Sequence, residues 1–314
     1  MLDIEQQHTT SATELANLSY PSQKSLKGLW LKSRFFVLSK VYRSTFNRIS
    51  TLTENALFRH AVMQKPRLLE KALKPYLYVD IPASVRMQHI EENFGFLNQT
   101  FGKNIEQAFV SGGQVLLNLT DSKEQEYKVV LFDGEMREGS LGLRLVNHLD
   151  QAIYSITFNL TTTPEKTIHI GALKGPSDEV EDRNQVIKTL TRSFHGLRPK
   201  ALMVELALFF GRSLGYNKAV GVSNKGHIYQ ALRYKGSKAK AVTFNYDELW
   251  EEYGATRVDN YRYEIPTVPE RKDPSTLEKR NKRRLYTKRY AWLDELETQL
   301  SNKVETLKST TSEF

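Results

Sequence analysis

Residues 167–223 decide the fold of this chain. They contain a short apolar segment, TIHIGAL (167–173), a long one, PKALMVELALFFGRSLG (199–215), and a second short one, NKAVGVS (217–223). The short segments have the length and composition of β-strands, whereas the long segment begins at a proline and ends at a glycine, as helices often do. A strand, helix, strand unit normally leaves both strands in one sheet with the helix packed over them. We therefore expect a sheet that buries an apolar helix.

More strands precede this unit. Short runs rich in β-branched or aliphatic residues are separated by turn-forming pairs such as Asp133-Gly134, and they lie at Val115–Leu119, Lys128–Phe132, Leu141–Val146, Ile153–Leu160 and Thr167–Leu173. Their short connections imply antiparallel neighbours, because a parallel crossover needs a dozen or more residues. The pattern predicts an α+β fold with a mostly antiparallel central sheet and flanking helices.

Four regions follow from the composition. We expect a flexible N-terminal arm at 1–22, a helical N-terminal region at 23–102, an α+β core at 103–270 and a basic amphipathic C-terminal helix at 271–314. Ser275 and Glu278 have the spacing of a capping box, which predicts that the last helix begins there.

Charge and composition restrict the function. The 314 residues include 45 Lys and Arg against 36 Asp and Glu, a net charge of +9, and no cysteine. The lack of cysteine excludes disulfides, a cysteine nucleophile, thiolate-bound zinc and iron–sulfur clusters. The positive charge favours nucleic acid, phospholipid head groups, an acidic carrier protein or a phosphorylated small molecule as partner. Apolar runs fall far short of the ~18 residues of a membrane span, and the opening residues lack a secretory pattern. We expect the protein in the cytoplasm, free or at the inner face of the membrane.

Two basic segments each allow two interpretations. The region from Leu15 to Thr53 has no acidic residue, and it predicts a helix with an apolar stripe formed by Phe35, Leu38, Tyr42, Phe46 and Ile49. That helix either lies on an anionic membrane or, more commonly for such a stripe, docks on the body of the protein. The Lys- and Arg-rich start of the C-terminal helix, with Tyr286 and Tyr290, either grips nucleic-acid phosphates or is a solvated face.

The first candidate site is the turn from His195 to Lys200. Arg198 and Lys200 flank the start of the apolar helix, where free backbone N–H groups and the helix dipole favour an anion. Gly196 suits a tight turn, and His195 would lie beside any phosphate bound there. The alternative is an ordinary turn whose histidine is hydrogen-bonded to backbone.

The second candidate site follows the strand at 217–223. Ser223, Asn224 and His227 could hydrogen-bond a ligand or move a proton, and histidine is the commonest general base. Loops at strand ends often carry ligands. No spacing in the chain supports a metal site, and none matches a nucleophile elbow or a Walker loop.

Several separated motifs, in order, resemble the VirK/YbjX family of bacterial proteins, over roughly Leu26 to Leu300. They are Ile170–Pro176, His195–Lys200, Val222–Asn224 with His227, Tyr246–Glu252, and Lys282–Tyr286 with Arg289 and Tyr290. The resemblance implies an association with Gram-negative envelope remodelling, resistance to cationic peptides and virulence.

The order of elements is similar to that of the GNAT acyltransferases, whose pyrophosphate-binding turn has the signature Gln/Arg-x-x-Gly-x-Gly/Ala. The aligned residues here are Ser193, Gly196 and Arg198, and only Gly196 matches. This likeness implies transfer of an acyl group, with no required cofactor beyond an acyl-CoA or the phosphopantetheine of an acidic acyl carrier protein as donor.

Under that hypothesis Gly196, Arg198 and Lys200 bind donor phosphate. Asn224 and Ser223 orient or polarise the thioester carbonyl, and His195 or His227 takes the proton of the acceptor. The alternative from another class is a non-enzymatic basic protein that binds a membrane surface or, less readily, nucleic acid.

Overall fold

The predicted meander forms most of a single sheet. The computed structural model describes residues 11–20, 26–121, 123–231 and 244–309, and within them eight strands form one sheet in the order β1-β2-β3-β4-β5-β6-β8-β7. The strands are β1 (Gln114–Thr120), β2 (Glu126–Phe132), β3 (Leu141–Asn147), β4 (Ala152–Thr161), β5 (Thr167–Lys174), β6 (Lys218–Val222), β7 (Thr256–Arg257) and β8 (Arg262–Ile265). Neighbouring strands are antiparallel except β5 and β6, which are parallel.

The parallel pairing of β5 with β6 ends before β5 does. Pairing extends as far as Ile170 opposite Gly221, whereas β5 continues to Lys174. Gly171 is an extra residue in the ladder between β5 and β4, which is a β-bulge. A Cβ at Gly171 would overlap the carbonyl oxygen of Glu138. The bulge therefore lets the loop between β2 and β3 approach β5, and beyond it the carboxyl ends of β5 and β6 are not paired with each other.

Helices cover both faces of the sheet. They are α1 (Ala12–Ser19), α2 (Leu26–Val41), α3 (Arg43–Leu52), α4 (Ala56–Gln64), α5 (Ala83–Phe101), α6 (Arg183–Ser193), α7 (Pro199–Ser213), α8 (Tyr246–Glu252) and α9 (Arg280–Leu307). Phe158 in β4 packs on Phe210 of α7, and the next residue, Asn159, donates a hydrogen bond to the backbone oxygen of His89 on α5. Because successive strand residues point to opposite faces, α7 and α5 lie on opposite sides of β4.

This architecture confirms the α+β class with a mostly antiparallel sheet. Helix α7 is buried over most of its length, as its composition predicts, and the meander is followed by the predicted β5–α7–β6 unit. Within the described ranges, no helix is both long and apolar enough to cross a membrane.

Three details differ from the sequence-based expectations. The predicted flexible arm at 1–22 contains helix α1, which buries Leu15 and Ala16; residues 1–10, 21 and 22 lie outside the described residues. The helix predicted before Thr53 is two helices, separated at Tyr42.

The C-terminal helix begins at Arg280, because no capping box forms at Ser275. The carboxylate of Asp273 instead accepts a hydrogen bond from the backbone N–H of Ser275 and starts a single 3₁₀ turn there. Of the segment 271–314, the stretch 280–307 is helical, and 310–314 lie outside the described residues.

Candidate functional site

Polar residues gather at the carboxyl ends of β5 and β6. Lys174 is the last residue of β5, Ser223 follows β6, and His227 closes the turn that begins at Ser223. Glu138 joins them from the loop between β2 and β3, whose backbone lies against the bulge at Gly171. Ligands of α/β proteins usually bind at this edge of parallel strands, so the cluster is the candidate site.

Glu138 is the centre of the cluster. Its Oε1 lies 3.5 Å from Nε2 of His227, and both side chains are 2% exposed. Its Oε2 lies 2.9 Å from Nζ of Lys174, which is also 3.2 Å from a carboxylate oxygen of Glu135. The Lys174 side chain is 40% exposed. The buried carboxylate of Glu138, which contacts the His227 imidazole, is therefore also paired with a lysine that reaches solvent.

Electrostatics keep the carboxylate and the amine of this cluster charged. Burial by itself raises the pKa of Glu138, but the hydrogen bond with His227 and the charge of Lys174 outweigh it, so the pKa is lowered. Burial also opposes the charge on Lys174, and the carboxylates of Glu138 and Glu135 reverse that effect and raise the pKa of this lysine. Both groups are thus ionised at neutral pH.

Aromatic rings fix the orientation of the His227 imidazole. The Tyr246 ring stacks on it with 5.4 Å between centroids, and the Tyr229 ring meets it edge-on at 5.3 Å. Nδ1 of His227 accepts a hydrogen bond from the backbone N–H of Tyr229 at 3.3 Å. The long distance makes this a weak bond, and Nδ1 is the position at which the imidazole can take up a proton while Nε2 faces Glu138.

Tyr246 occupies the gap where β6 no longer pairs with β5. Its hydroxyl accepts a hydrogen bond from the backbone N–H of Leu173 and donates one to the carbonyl oxygen of the same residue, at 3.1 and 3.3 Å. These are the backbone groups that a continuing parallel strand would satisfy. At this edge of the sheet the Tyr246 side chain therefore makes the hydrogen bonds to β5 that a longer β6 would otherwise make.

Ser223 and Asn224 are committed to holding the turn and the start of α8. The Ser223 hydroxyl donates to the carbonyl oxygen of Asn260 at 2.8 Å and accepts from the N–H of Gly226 at 3.0 Å. The Asn224 side chain accepts from the N–H of Tyr246 at 2.7 Å and donates to Asn245 at 2.8 Å. Each residue would have to break these bonds to act at a thioester carbonyl, and that role stays a prediction.

The turn before α7 lacks the free backbone donors predicted for Gly196 and Leu197. The N–H of Gly196 donates to the carbonyl oxygen of Thr191 at 2.8 Å, and the N–H of Leu197 donates to that of Phe194 at 2.9 Å. Gly196 has a φ of +75°, and a Cβ there would lie 2.8 Å from the guanidinium of Arg289. The turn ends α6 and fits against α9, so these backbone donors are satisfied within the protein.

His195 belongs to the same α9 interface. Its carbonyl oxygen accepts a hydrogen bond from Nε of Arg289 at 3.0 Å, and its ring meets that of Trp292 edge-on at 5.8 Å. Burial and the charges of Lys288 and Arg289 lower the pKa of His195. The structure thus places this histidine in a packing interface, apart from Glu138.

Arg198 and Lys200 lie on the same side of the molecule as His227. The guanidinium of Arg198 pairs with Glu252 at the end of α8, while the N–H of Asn224 bonds Asp247 near the start of α8. The Lys200 ammonium lies 5.5 Å from the centroid of the Phe244 ring, which contacts the ring of Tyr246. Helix α8, about 10 Å long, therefore separates Arg198 from Asn224, whereas Lys200 reaches the aromatic group that holds His227.

The basic run in α9 is partly structural. The Arg289 guanidinium lies 4.3 Å from the centroid of the Tyr286 ring as well as bonding His195, and the hydroxyl of Tyr290 accepts from the N–H of Lys272 at 3.1 Å. Two tyrosines predicted to interleave with nucleic-acid phosphates thus contact protein.

Sequence reasoning missed the central residue, Glu138, and assigned no role to Lys174 or Tyr246. The available signal was the polar loop at 133–138, which holds Asp133, Glu135 and Glu138 between two apolar strands. Among the residues that the structure describes, no three His, Asp or Glu side chains are grouped as metal ligands.

Comparison with known proteins gives the family but no activity. An uncharacterized protein, YbjX, of Escherichia coli K12 is 26% identical over 242 residues, 76% of this chain and 72% of its own length. An uncharacterized protein of Haemophilus influenzae is 32% identical over 155 residues, 49% of each chain. A protein of Mannheimia haemolytica named membrane protein LapB is 24% identical over 210 residues, 66% of this chain and 88% of its own.

Among solved structures, a mutant of a cAMP-binding acyltransferase from Mycobacterium smegmatis aligns with a TM-score of 0.32 and 8% identity, over 73% of this chain and 62% of that one. A likeness this weak carries no argument about activity. The family model described as "Protein of unknown function (DUF535)" matches residues 24–302. This match means that the chain belongs to the DUF535 family, which is the VirK/YbjX family.

Proposed function

We propose that this protein is an acyltransferase-like enzyme that moves an acyl group from an acyl-CoA or acyl carrier protein thioester to an envelope-related or protein acceptor. The observation that carries the proposal is the buried imidazole–carboxylate pair of His227 and Glu138 at the carboxyl ends of the parallel strands. A buried ionic group of this kind contributes little net stability, because desolvation offsets the attraction. Such groups are common at sites of proton transfer.

In the proposed reaction the acceptor attacks the thioester carbonyl while its proton moves to Nδ1 of His227, in place of the weak bond from the N–H of Tyr229. The carboxylate of Glu138 stabilises the resulting imidazolium. The new bond to the acyl carbon forms, the carbon–sulfur bond breaks, and the leaving thiolate takes the proton from His227. Glu138 thereby acts as a positioning residue for the imidazole.

Arg198 and Lys200 are the proposed contacts for donor phosphates. Both are cationic and lie at the start of α7, on the side of the molecule that carries His227. The side chain of Arg198 is 46% exposed, so a phosphate can compete for it with Glu252. An acidic carrier protein would also be attracted by a chain with a net charge of +9.

The test is thioester turnover by purified protein. Release of free thiol from acyl-CoA and from acyl carrier protein is measured together with donor binding by calorimetry. We expect His227→Gln to lower turnover about 100-fold or more with donor affinity retained, since general bases contribute roughly that much. Arg198→Gln with Lys200→Gln should weaken donor binding instead.

His195→Gln is the matched control, because that imidazole lies at the α9 interface. It should leave turnover unchanged in a protein of normal thermal stability. Absence of donor binding to the wild-type protein, or full turnover by His227→Gln, would refute the proposal.

A further inference from the structure

Helix α2 has two apolar faces, and among the described residues only one of them packs against the rest of the protein. Phe35 on the predicted stripe is 1% exposed, and Phe46 and Ile49 of α3 are buried with it, so that stripe docks on the body. The opposite face carries Leu26, Leu29, Trp30, Phe36, Val37 and Val41, which are 86, 58, 59, 43, 56 and 66% exposed. At 100° per residue these six side chains fall within an arc of about 140°. They form an outward apolar stripe, called the α2 stripe below, and Ser33 and Lys40 fall within the same arc.

The α2 stripe is too large to be ordinary surface. The helix has 16 residues and is therefore about 24 Å long, and exposed apolar side chains recur along all of it. Elsewhere in the described chain, exposed apolar residues such as Leu149 and Val258 have no such helical partners. Contiguous apolar patches of this kind mark interaction sites.

Cations lie along the α2 stripe and no acid does. Helix α2 contains no Asp or Glu, and Lys27 and Lys32 fall on opposite borders of the stripe. The ammonium of Lys40 lies 5.3 Å from the centroid of the Phe36 ring, whereas the guanidinium of Arg34, 4.7 Å from that of Trp30, pairs with the buried carboxylate of Glu70. The charged ends of the three lysine side chains can remain in a polar layer while the apolar side chains enter a less polar one.

We propose that the α2 stripe binds an anionic lipid bilayer, with α2 lying in the plane of the head groups. The combination of an apolar stripe, cationic borders and an interfacial tryptophan complements acyl chains below anionic head groups. A partner protein would call for acceptors or acids opposite these cations, whereas a bilayer supplies negative charge on both borders at once. The proposal is independent of acyl transfer, since it requires none of the residues around Glu138.

Flotation with phosphatidylglycerol and phosphatidylethanolamine vesicles tests the proposal, with pure phosphatidylcholine vesicles for comparison. The full chain should float with the anionic vesicles, and less of it should float as salt rises, because salt screens surface charge. Leu29→Glu with Val37→Glu should weaken binding about 100-fold or more, since it removes two apolar anchors and adds like charge to that of the lipid. Lys27→Gln with Lys40→Gln should weaken it by roughly 30-fold, because each lysine near the membrane surface contributes about 1 kcal/mol.

Val258→Glu with Val268→Glu is the matched control. These valines are 55 and 70% exposed but lie far from α2 in sequence, beside β7 and after β8. The pair adds the same charge to the protein and should leave vesicle binding unchanged. Thermal unfolding verifies that all three double variants fold.

Tryptophan fluorescence reports the orientation directly. The chain has three tryptophans, of which Trp250 is buried and Trp292 is half-buried, so Trp30 is the one on the surface. Anionic vesicles should shift its emission to shorter wavelength, and Trp30→Phe should abolish the shift while the protein still floats.

Three results would overturn the proposal. One is wild-type protein that does not float, and another is equal binding by the Leu29→Glu, Val37→Glu variant. The third is a wild-type protein that does not bind vesicles and that light scattering shows to be a dimer, together with a Leu29→Glu, Val37→Glu variant that is a monomer. That result would mean that the α2 stripe is a contact between copies of this chain.

Discussion

Two buried ionic clusters in this protein differ in how their central carboxylate is bonded. In the closed cluster Glu70 pairs with Lys74 and accepts hydrogen bonds from Tyr20 and Arg67, so both of its oxygens are bonded; the side chains of Glu70 and Lys74 are each 1% exposed, and that of Arg67 is 52% exposed. In the open cluster Glu138 is 2% exposed, but its partner Lys174 is 40% exposed. The closed cluster holds α1 and the segment around Glu70 together. The open cluster joins its carboxylate to a histidine, whose imidazole can carry a proton, so the kind of partner, and not burial or exposure, distinguishes a candidate site.

The buried chain segment of the closed cluster also carries Lys71, which contacts the loop that holds Glu138. Its Nζ donates a hydrogen bond at 2.8 Å to the carbonyl oxygen of Gly139, the residue after Glu138. Tyr76, five residues further along the chain, also holds this loop, because its hydroxyl lies 2.7 Å from the hydroxyl of Ser140. The closed side of the molecule therefore positions the loop that carries Glu138.

The largest expected effect comes from breaking the closed cluster. Glu70→Gln keeps the shape of the side chain but leaves the buried ammonium of Lys74 without its counter-charge. We expect the free energy of unfolding to fall by about 3–5 kcal/mol, as for other buried pairs that lose one partner. Urea denaturation measures it, and a loss below about 1 kcal/mol would contradict the view that this cluster is structural.

Breaking the open cluster should reduce the free energy of unfolding less than breaking the closed cluster does, and it should reduce activity more. In Glu138→Gln the ammonium of Lys174 keeps Glu135 at 3.2 Å and has access to water. We expect a loss of about 1–3 kcal/mol in the free energy of unfolding, because the affected hydrogen bonds are buried but no charge is stranded. If the proposed function is right, acyl transfer falls far more than stability does. A stability loss as large as that of Glu70→Gln would erase the distinction between the clusters.

The lysines of the two clusters should respond to pH with opposite signs. Burial lowers the pKa of Lys71 to about 7, whereas an unfolded lysine stays protonated to about pH 10.4. Between those pH values the unfolded state binds more protons, so the free energy of unfolding rises with pH. Lys174, whose pKa is raised, contributes no such rise.

The measurement is the free energy of unfolding at about pH 7.5 and about pH 9.5. Lys71→Met should show a smaller increase between the two than the wild type, because Lys74 alone remains with a lowered pKa in that cluster. An unchanged slope would mean that Lys71 stays protonated when buried.

The smallest change in the free energy of unfolding is expected for an exposed ion pair, against which the two buried clusters can be compared. Arg48 and Glu91 pair at the surface with 37 and 28% exposure. Arg48→Gln should change the free energy of unfolding by less than about 1 kcal/mol, because solvent screens the pair. A larger loss would point to the second contact of Arg48, with the carbonyl oxygen of Ser84.

Local signals in the sequence were enough for most elements of the fold. The apolar composition of residues 199–213 and the short connections of the meander act within one segment or between neighbours, so they can be recognised without tertiary contacts. The failure at Ser275 was also local. The carboxylate of Asp273 accepts a hydrogen bond from the backbone N–H of Ser275. A turn therefore forms where the sequence also contains the spacing of a capping box.

The candidate site could be predicted only in part. His227 follows from its position after a strand, but its partner Glu138 is 89 residues away in the chain and reaches it because the bulge at Gly171 admits the loop. The free donors predicted at Gly196 were absent for a similar reason. Arg289 and the end of α6, which are distant in sequence from each other, together complete that turn.

Helix α2 shows which properties of a segment can be inferred from its own residues and which depend on the rest of the fold. The sequence by itself determined that residues 26–41 are basic, free of acid and helical, because charge and period are properties of the segment. It did not determine which apolar face turns outward, since apolar residues occupy both. Only the tertiary structure decided that Phe35 packs inward and Trp30 outward, because the choice depends on the shape of the surface that receives the helix.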